Sequence, residues 1–296
     1  MPKNHELLLG AHMSIAGGFQ MALERGQSIG CTAIQIFTKS ARTWQAKEIT
    51  DEQAQLFISS KRQSSIKYVM VHASYLINLA ASDPDGLQKS IDATCIELKR
   101  CQQLEIPYLV LHPGTYGSQP IQETLDGIVA SLDAIFKQVP GNSMILLENT
   151  AGQGSSLCST FEQIAYILKK NTHKKRLGTC FDTCHAFAAG YDFTTSDTYN
   201  DMIQKFDDTI GLEHLKAFHI NDCKLGLGAK KDRHEEIGKG KIDLKAFDLI
   251  FNDSRFFDIP KVLETPNDTL PGYRDNMDVI TKLLTDKTKK ELNIKE

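Results

Sequence analysis

The chain of 296 residues has seven cysteines, an odd number, and no CxxC pair. That argues against a disulfide framework and against a thiolate zinc site, leaving free buried thiols in a reducing compartment as the expectation. Cys180 and Cys184, four apart, are only a weak thiolate spacing. No run approaches the roughly 18 apolar residues of a membrane span. The opening residues, Met1 to Glu6, lack the apolar core of a secretory signal, so a cytoplasmic protein without membrane attachment is expected. Neither GxGxxG nor GxxxxGK(S/T) occurs at a strand–helix turn, which removes the commonest nucleotide cofactors. There is no basic excess either: 34 Lys and Arg face 37 Asp and Glu, for a net charge of −3. A global field for nucleic acid is therefore missing. A locally positive face remains open, because charges are screened beyond about 10 Å.

No low-complexity linker divides the chain, and a single domain is expected. Eight short, nearly continuous apolar runs read as parallel strands buried on both faces: LLLGAHM (7–13), AIQIF (33–37), YVMVH (68–72), YLVLH (108–112), MILLEN (144–149), LGTCFD (177–182), LKAFHI (215–220) and KVLET (261–265). Amphipathic helical patterns separate them, over roughly 18–29, 51–63, 84–101, 121–137, 160–169, 199–210, 243–251 and 275–285; Asp83-Pro84 reads as a cap followed by proline at the first helical position. Eight βα units predict an α/β fold, a (β/α)8 TIM barrel over residues 1–285, with 286–296 a solvated polar tail.

Six strand candidates end on a metal-capable side chain: His72, His112, Glu148, Asp182, His219 and Glu264. In such a barrel the C-terminal strand ends share one face, the face that carries active sites. Two local clusters join them, Asp182-x-x-His185 and Asp232-Arg233-His234. One histidine at a strand end is ordinarily a hydrogen-bonded structural residue, and one carboxylate there is ordinarily a helix cap. Nine such groups on one rim are a different matter, since four carboxylates in one crevice repel unless cations intervene. Histidine with carboxylate suits zinc or manganese, and nine donors supply two or three ions with one carboxylate free to bridge. Strand-end His, Glu and Asp alone fit a metal-dependent sugar isomerase or epimerase nearly as well.

Longer segments carry a resemblance. GAHMSIAGG (10–18), FTKSARTWQ (37–45), HASYLINLA (72–80), LHPG (111–114), ENTAGQGS (148–155), DTCHAFAAGYD (182–192), HINDCK (219–224), DRHEEIGKG (232–240) and LETP (263–266) occur in one order across nearly the whole chain. This set resembles the endonuclease IV family of apurinic/apyrimidinic endonucleases, zinc-dependent DNA-repair enzymes. The resemblance implies a barrel holding three zinc ions that hydrolyses DNA on the 5′ side of an abasic site, leaving a 3′-hydroxyl and a 5′-deoxyribose phosphate. Trimming of 3′ ends is a further expectation. Position by position, it implies that His72, His112 and Glu148 hold the first ion. Asp182, His219 and Glu264 hold the second, with Glu148 bridging to the first. His185, Asp232 and His234 hold the third. Glu148 and Glu264 are expected to be catalytic, with a zinc-bound hydroxide as nucleophile.

The resemblance also directs attention to loops that would grip duplex DNA. TKSARTWQAK (38–47) carries Lys39, Arg42, Lys47 and the only tryptophan, Trp44. Phosphate contacts with a wedge into the base stack are expected there, and Tyr75 and Leu76 read as a second wedge. CKLGLGAKKDR (223–233), with Lys230 and Arg233, reads as a mobile basic loop closing over the backbone. Gly152, Gln153 and Gly154 are expected to bring main-chain N–H groups near phosphate. The expected partner is double-stranded DNA, met by a monomer. His12 is left open between a rim residue and a core histidine. The third cluster and the two wedges separate this reading from the sugar isomerase, which needs neither.

Overall fold

The computed structural model describes residues 5–294. The barrel strands are β1 (Leu9–His12), β2 (Ala33–Ile36), β3 (Tyr68–His72), β4 (Tyr108–Leu111), β5 (Met144–Glu148), β6 (Leu177–Asp182) and β7 (Leu215–His219). A small hairpin of β8 (Asp222–Cys223) and β9 (His234–Glu235) follows, and then β10 (Lys261–Leu263). Eight parallel strands close in the order β1-β10-β7-β6-β5-β4-β3-β2, while β8 and β9 pair antiparallel outside the barrel. Each of the eight apolar runs is a strand, with ends within two residues of the expected ones.

The surrounding helices are α1 (Phe19–Ser28), α2 (Asp51–Gln63), α3 (Pro84–Gln103), α4 (Ile121–Gln138), α5 (Phe161–Lys170), α6 (Thr183–Ala189), α7 (Ser196–Thr209), α8 (Leu244–Asn252), α9 (Leu270–Leu283) and α10 (Asp286–Glu291). Local chemistry sets several of their starts. Thr50 and Gln53 form a capping box on α2, and the Asp83 side chain accepts from Gly86 N at 2.8 Å ahead of Pro84. Each such cap contributes about 1 kcal/mol.

Strand pleating divides the side chains. Residues facing outward, such as Val69, Val71, Leu109, Ile145 and Leu147, join the large core beneath the helices. Inward-facing residues form a separate apolar plug: Ala33, Met70, Val110, Leu146, Cys180, Ala217 and Val262. β1 enters this layer as Gly10, where a Cβ would sit 1.7 Å from the Ala33 carbonyl oxygen. One step of two residues along each strand, toward its C-terminal end, the inward position becomes polar. The residues there are His12, Gln35, His72, His112, Glu148, Asp182, His219 and Glu264, one from each strand or the residue just after it.

Two expectations change, and one helix appears where none was expected. The solvated tail begins instead as α10, capped by Thr285; Thr288 and Leu292 are buried, and Ile294 is partly buried against the core. Residues 295 and 296 lie outside the described region. The stretch after β6 is a seven-residue helix, α6, ended by Gly190 in the left-handed conformation (φ 108). The 223–233 segment is not loose: it connects β8 to β9, and Gly228 N and Lys230 N donate to Phe187 O and Ala188 O of α6 at 3.0 and 2.9 Å.

A candidate metal centre at the C-terminal mouth

Glu148, fully buried at the end of β5, lies at the middle of the polar layer. Its Oε2 is 3.2 Å from His72 Nε2 and 3.1 Å from His112 Nε2. Its Oε1 is 3.1 Å from His219 Nδ1. On its far side His219 Nδ1 approaches Glu264 Oε2 at 3.2 Å and Asp182 Oδ2 at 3.9 Å. A third set surrounds His185, whose Nε2 is 3.2 Å from Asp232 Oδ2, while His234 Nε2 is 3.4 Å from Asp232 Oδ1. Four groups of potential donor atoms result among the described residues, each with all members within 4.8 Å of one another: His72, His112 and Glu148; Glu148, Asp182, His219 and Glu264; His185, Asp232 and His234; and, overlapping the last two, Asp182, Cys184 and His234. All nine residues nominated from the sequence converge, and Glu148 belongs to two groups.

The histidines are oriented for coordination. His72 Nδ1 faces Ala73 O at 2.8 Å, His185 Nδ1 faces Asn149 O at 2.9 Å, and His234 Nδ1 faces Glu264 O at 3.0 Å. A ring nitrogen beside a carbonyl carries a proton, so the neutral ring presents its opposite nitrogen as the ligand. The Nε2 atoms of His185 and His234 are buried yet make no hydrogen bond. Orphaned buried acceptors of this kind are costly in a folded protein, and a cation among these donors would satisfy them. The residues present therefore fit a metal. Electrostatics agree: burial works to raise the Glu148 carboxyl, but the imidazoles of His219 and His112 outweigh it and hold the group well below its ordinary range.

Asp182 serves two purposes. One oxygen caps α6, accepting from His185 N at 2.7 Å, while the other accepts from Asn221 Nδ2 at 2.7 Å and faces the second group. The hairpin that carries Asp232 and His234 is held by Asp222, whose buried carboxylate accepts from the main-chain N–H groups of Gly238, Gly240 and Ile242 at 2.9 to 3.0 Å.

Gln35 was not nominated from the sequence. It is fully buried, its Nε2 donates to Glu264 Oε1 at 2.6 Å, and its Oε1 faces His219 Nε2 at 2.8 Å. It thereby sets the His219 tautomer that frees Nδ1 toward Glu148. Its Nε2 also reaches His12 Nδ1 at 3.1 Å, which resolves His12 as a rim residue packed on Phe37. An amide is not among the usual zinc ligands, and nothing in its residue type marks it out. Its place at the third position of AIQIF, level with the other strand ends, is the signal that was there.

Beside the donor groups lies a crevice of about 320 Å³, lined among others by Tyr75, Leu76, His112, Gln153, His185 and Asp232. Tyr75 is 61% exposed, Trp44 39% and Leu76 37%, unusual for large apolar side chains beside a site and suited to contact with a partner. Arg42, Lys47, Lys230 and Arg233 are exposed, as are Gln153 and Gly154, with Gly152 half-buried. One expectation shifts. Lys39 is buried, donating to Thr43 O at 2.7 Å, and is no free cation. Gln153 Oε1 is occupied by Asp232 N at 3.0 Å, tying this loop to the hairpin. All seven cysteines are buried and unpaired, as expected, and no helix among the described residues is long and apolar enough to cross a membrane.

Comparison with known proteins adds independent findings. A family model described as a xylose isomerase-like TIM barrel matches residues 23–283. The chain is 44% identical over 277 residues to a probable endonuclease 4 of Trichlorobacter lovleyi, covering 93% of this chain and 97% of that protein. It is 48% identical over 261 residues to a probable endonuclease 4 of Chloroflexus aggregans, covering 87% and 90%. Among solved structures, endonuclease IV from Thermus thermophilus superposes with a TM-score of 0.82 at 32% identity, covering 93% and 98%. A D-tagatose 3-epimerase-like protein superposes with a TM-score of 0.71 at 18% identity, over 96% and 98%; at that identity the likeness is one of fold alone.

Proposed function

The chain belongs to the endonuclease IV family, within the xylose isomerase-like TIM barrels, and from that premise we propose that it is a DNA-repair hydrolase cutting double-stranded DNA on the 5′ side of abasic sites. The products are a 3′-hydroxyl and a 5′-deoxyribose phosphate, and the cofactor is zinc, three ions to a chain. The observation that carries the reading is the sharing of Glu148 between two donor groups with a third group adjacent. One chain supplies every donor, so a monomer suffices.

In this reading His72, His112 and Glu148 hold one ion, Glu148, Asp182, His219 and Glu264 a second, and His185, Asp232 and His234 a third. Bound zinc would supply positive charge to a phosphodiester and would lower the pKa of coordinated water toward about 7. Four carboxylates against three divalent ions leave the mouth about +2, which attracts a phosphodiester despite the net −3 of the chain. Glu148 and Glu264 fix the spacing of the centre, Glu148 because both its oxygens are engaged and Glu264 because Gln35 restrains it. Arg42, Lys230 and Arg233 meet the phosphate backbone. Trp44, Tyr75 and Leu76 fill the gap an abasic nucleotide leaves, where unstacking is least costly. The glycines at 152 and 154 adopt positive φ (71 and 60) and carry Gln153 at the crevice edge.

The test uses purified protein and a duplex with one abasic site. Single 5′ incision is expected, lost on chelation and restored by zinc, with metal analysis giving close to three ions per chain. A chelated, metal-free protein that still cuts at the original rate overturns the reading.

A further inference from the structure

We infer that Glu97, Arg100 and Gln103, on one face of α3, are positioning residues that hold the loop of residues 38–49 in the shape its exposed Arg42 and Trp44 need. The inference rests on the reading of that loop as a DNA contact. Between Ile36 and Asp51 the chain has neither helix nor strand, so its main-chain groups need partners from elsewhere. α3 supplies them at both ends. At the entrance, Arg100 donates from its terminal guanidinium to Thr38 O at 2.5 Å and from Nε to Thr38 Oγ1 at 3.0 Å. Thr38 Oγ1 donates in turn to Glu97 Oε2 at 2.6 Å. At the exit, the other terminal nitrogen of Arg100 reaches Lys47 O at 2.6 Å, and Gln103 Nε2 reaches Ile49 O at 2.8 Å. One guanidinium therefore spans the neck of the loop.

The loop tip is braced from within. Lys39 Nζ, 3.6 Å from Glu97 Oε1, donates to Thr43 O, the residue before Trp44. Ser74 Oγ, one residue before the exposed Tyr75, donates to Ala41 O at 2.7 Å and couples the two aromatic segments. Glu97 is 1% exposed, and Lys39 and Arg100 are each 8%. Apolar side chains would fill such a space at less desolvation cost. Charged groups here do what apolar ones do not: they fix the direction of a loop through its carbonyls. The consequence is preorganisation, in which the ordering cost of the loop is met before DNA arrives.

The experiment uses the zinc-loaded enzyme and three variants, Arg100→Met, Glu97→Gln and Gln103→Ala. Trp44 is the only tryptophan, so its emission and anisotropy report the loop directly. Arg100→Met is expected to lower Trp44 anisotropy, speed tryptic cleavage after Arg42 and Lys47, and raise KM for an abasic duplex about tenfold, equivalent to ~1.4 kcal/mol. Turnover at saturating DNA should stay within about twofold, because no contact to the reacting centre is touched. Glu97→Gln, close in shape, is expected to show the same pattern more weakly and keeps the test decisive should Arg100→Met not fold; Gln103→Ala should be weakest. Parental anisotropy in Arg100→Met and Glu97→Gln, or a fall in turnover at unchanged KM, overturns the inference. Failure of the underlying DNA-contact reading shows differently: Trp44→Ala would then keep the parental KM while Arg100→Met still loosened the loop.

Discussion

Two layers of side chains lie inside this barrel, two residues apart on the same strands, and they have opposite characters. The lower layer is Gly10, Ala33, Met70, Val110, Leu146, Cys180, Ala217 and Val262. The upper is His12, Gln35, His72, His112, Glu148, Asp182, His219 and Glu264. Each strand thus contributes a packing residue and a chemical residue to one interior. The lower layer closes the barrel, so water reaches the upper one only from the mouth, where the crevice lies. Interactions among the polar groups strengthen in those surroundings, which is why the imidazoles prevail over burial at Glu148. The lesson is that a stable plug directly beneath a charged rim makes the rim chemically sharp.

Substitutions on one strand separate the two layers. Glu148→Gln should reduce turnover on the order of 10³-fold, ~4 kcal/mol of transition-state stabilisation, with duplex affinity nearly retained; a Gln enzyme of ordinary turnover removes the bridging role. Two residues earlier, Leu146→Ala should cost about 2–5 kcal/mol of stability through its cavity, seen as a lowered denaturation midpoint, while the folded protein keeps its turnover. Loss of turnover without loss of stability there would break the division into layers. Gln35→Ala belongs to the rim without being a ligand: metal affinity should fall about 10–100-fold, read by competition with a chelator, and unchanged affinity would demote Gln35 to packing.

A further prediction, read through pH rather than turnover, lies at the closed end. Lys261 opens β10, buried, its Nζ donating to Phe256 O at 2.6 Å and Ile259 O at 2.9 Å. Burial pushes its amine down to about 7 from an ordinary 10.5, and two acceptors match the two N–H groups of the neutral amine. Between those values the unfolded chain binds the extra proton, so stability should rise with pH across that window. Melting of the protein relative to Lys261→Met, followed between about pH 7 and 10, should show that rise, and a flat difference would mean the amine stays charged when folded.

The barrel was legible because eight apolar runs recur at intervals of one βα unit, and six of the nine candidate donors because strand ends must meet on one face; His185, Asp232 and His234 stand out only as local Asp/His clusters. What escaped notice has physical reasons. A seven-residue α6 is too short to show a period, and the hairpin of β8 and β9 has two residues in each strand. Lys39 reads as a phosphate contact in a basic loop; its partner Glu97 lies on a distant helix, and nothing local reveals the pairing. The tail reads as solvated because lysines dominate its composition, although Leu292 is buried.

The sequence by itself determined the strand periodicity, the residue types at each strand end and hence the donor chemistry of the mouth, since these follow from local pattern and from closure of parallel strands. Only the tertiary structure decided which oxygen of Glu148 faces which imidazole, that Gln35 sets a tautomer, and that α3 grips the 38–49 loop. Those are matters of a few ångströms between residues far apart in the chain, and such distances are set by packing, which no local pattern encodes.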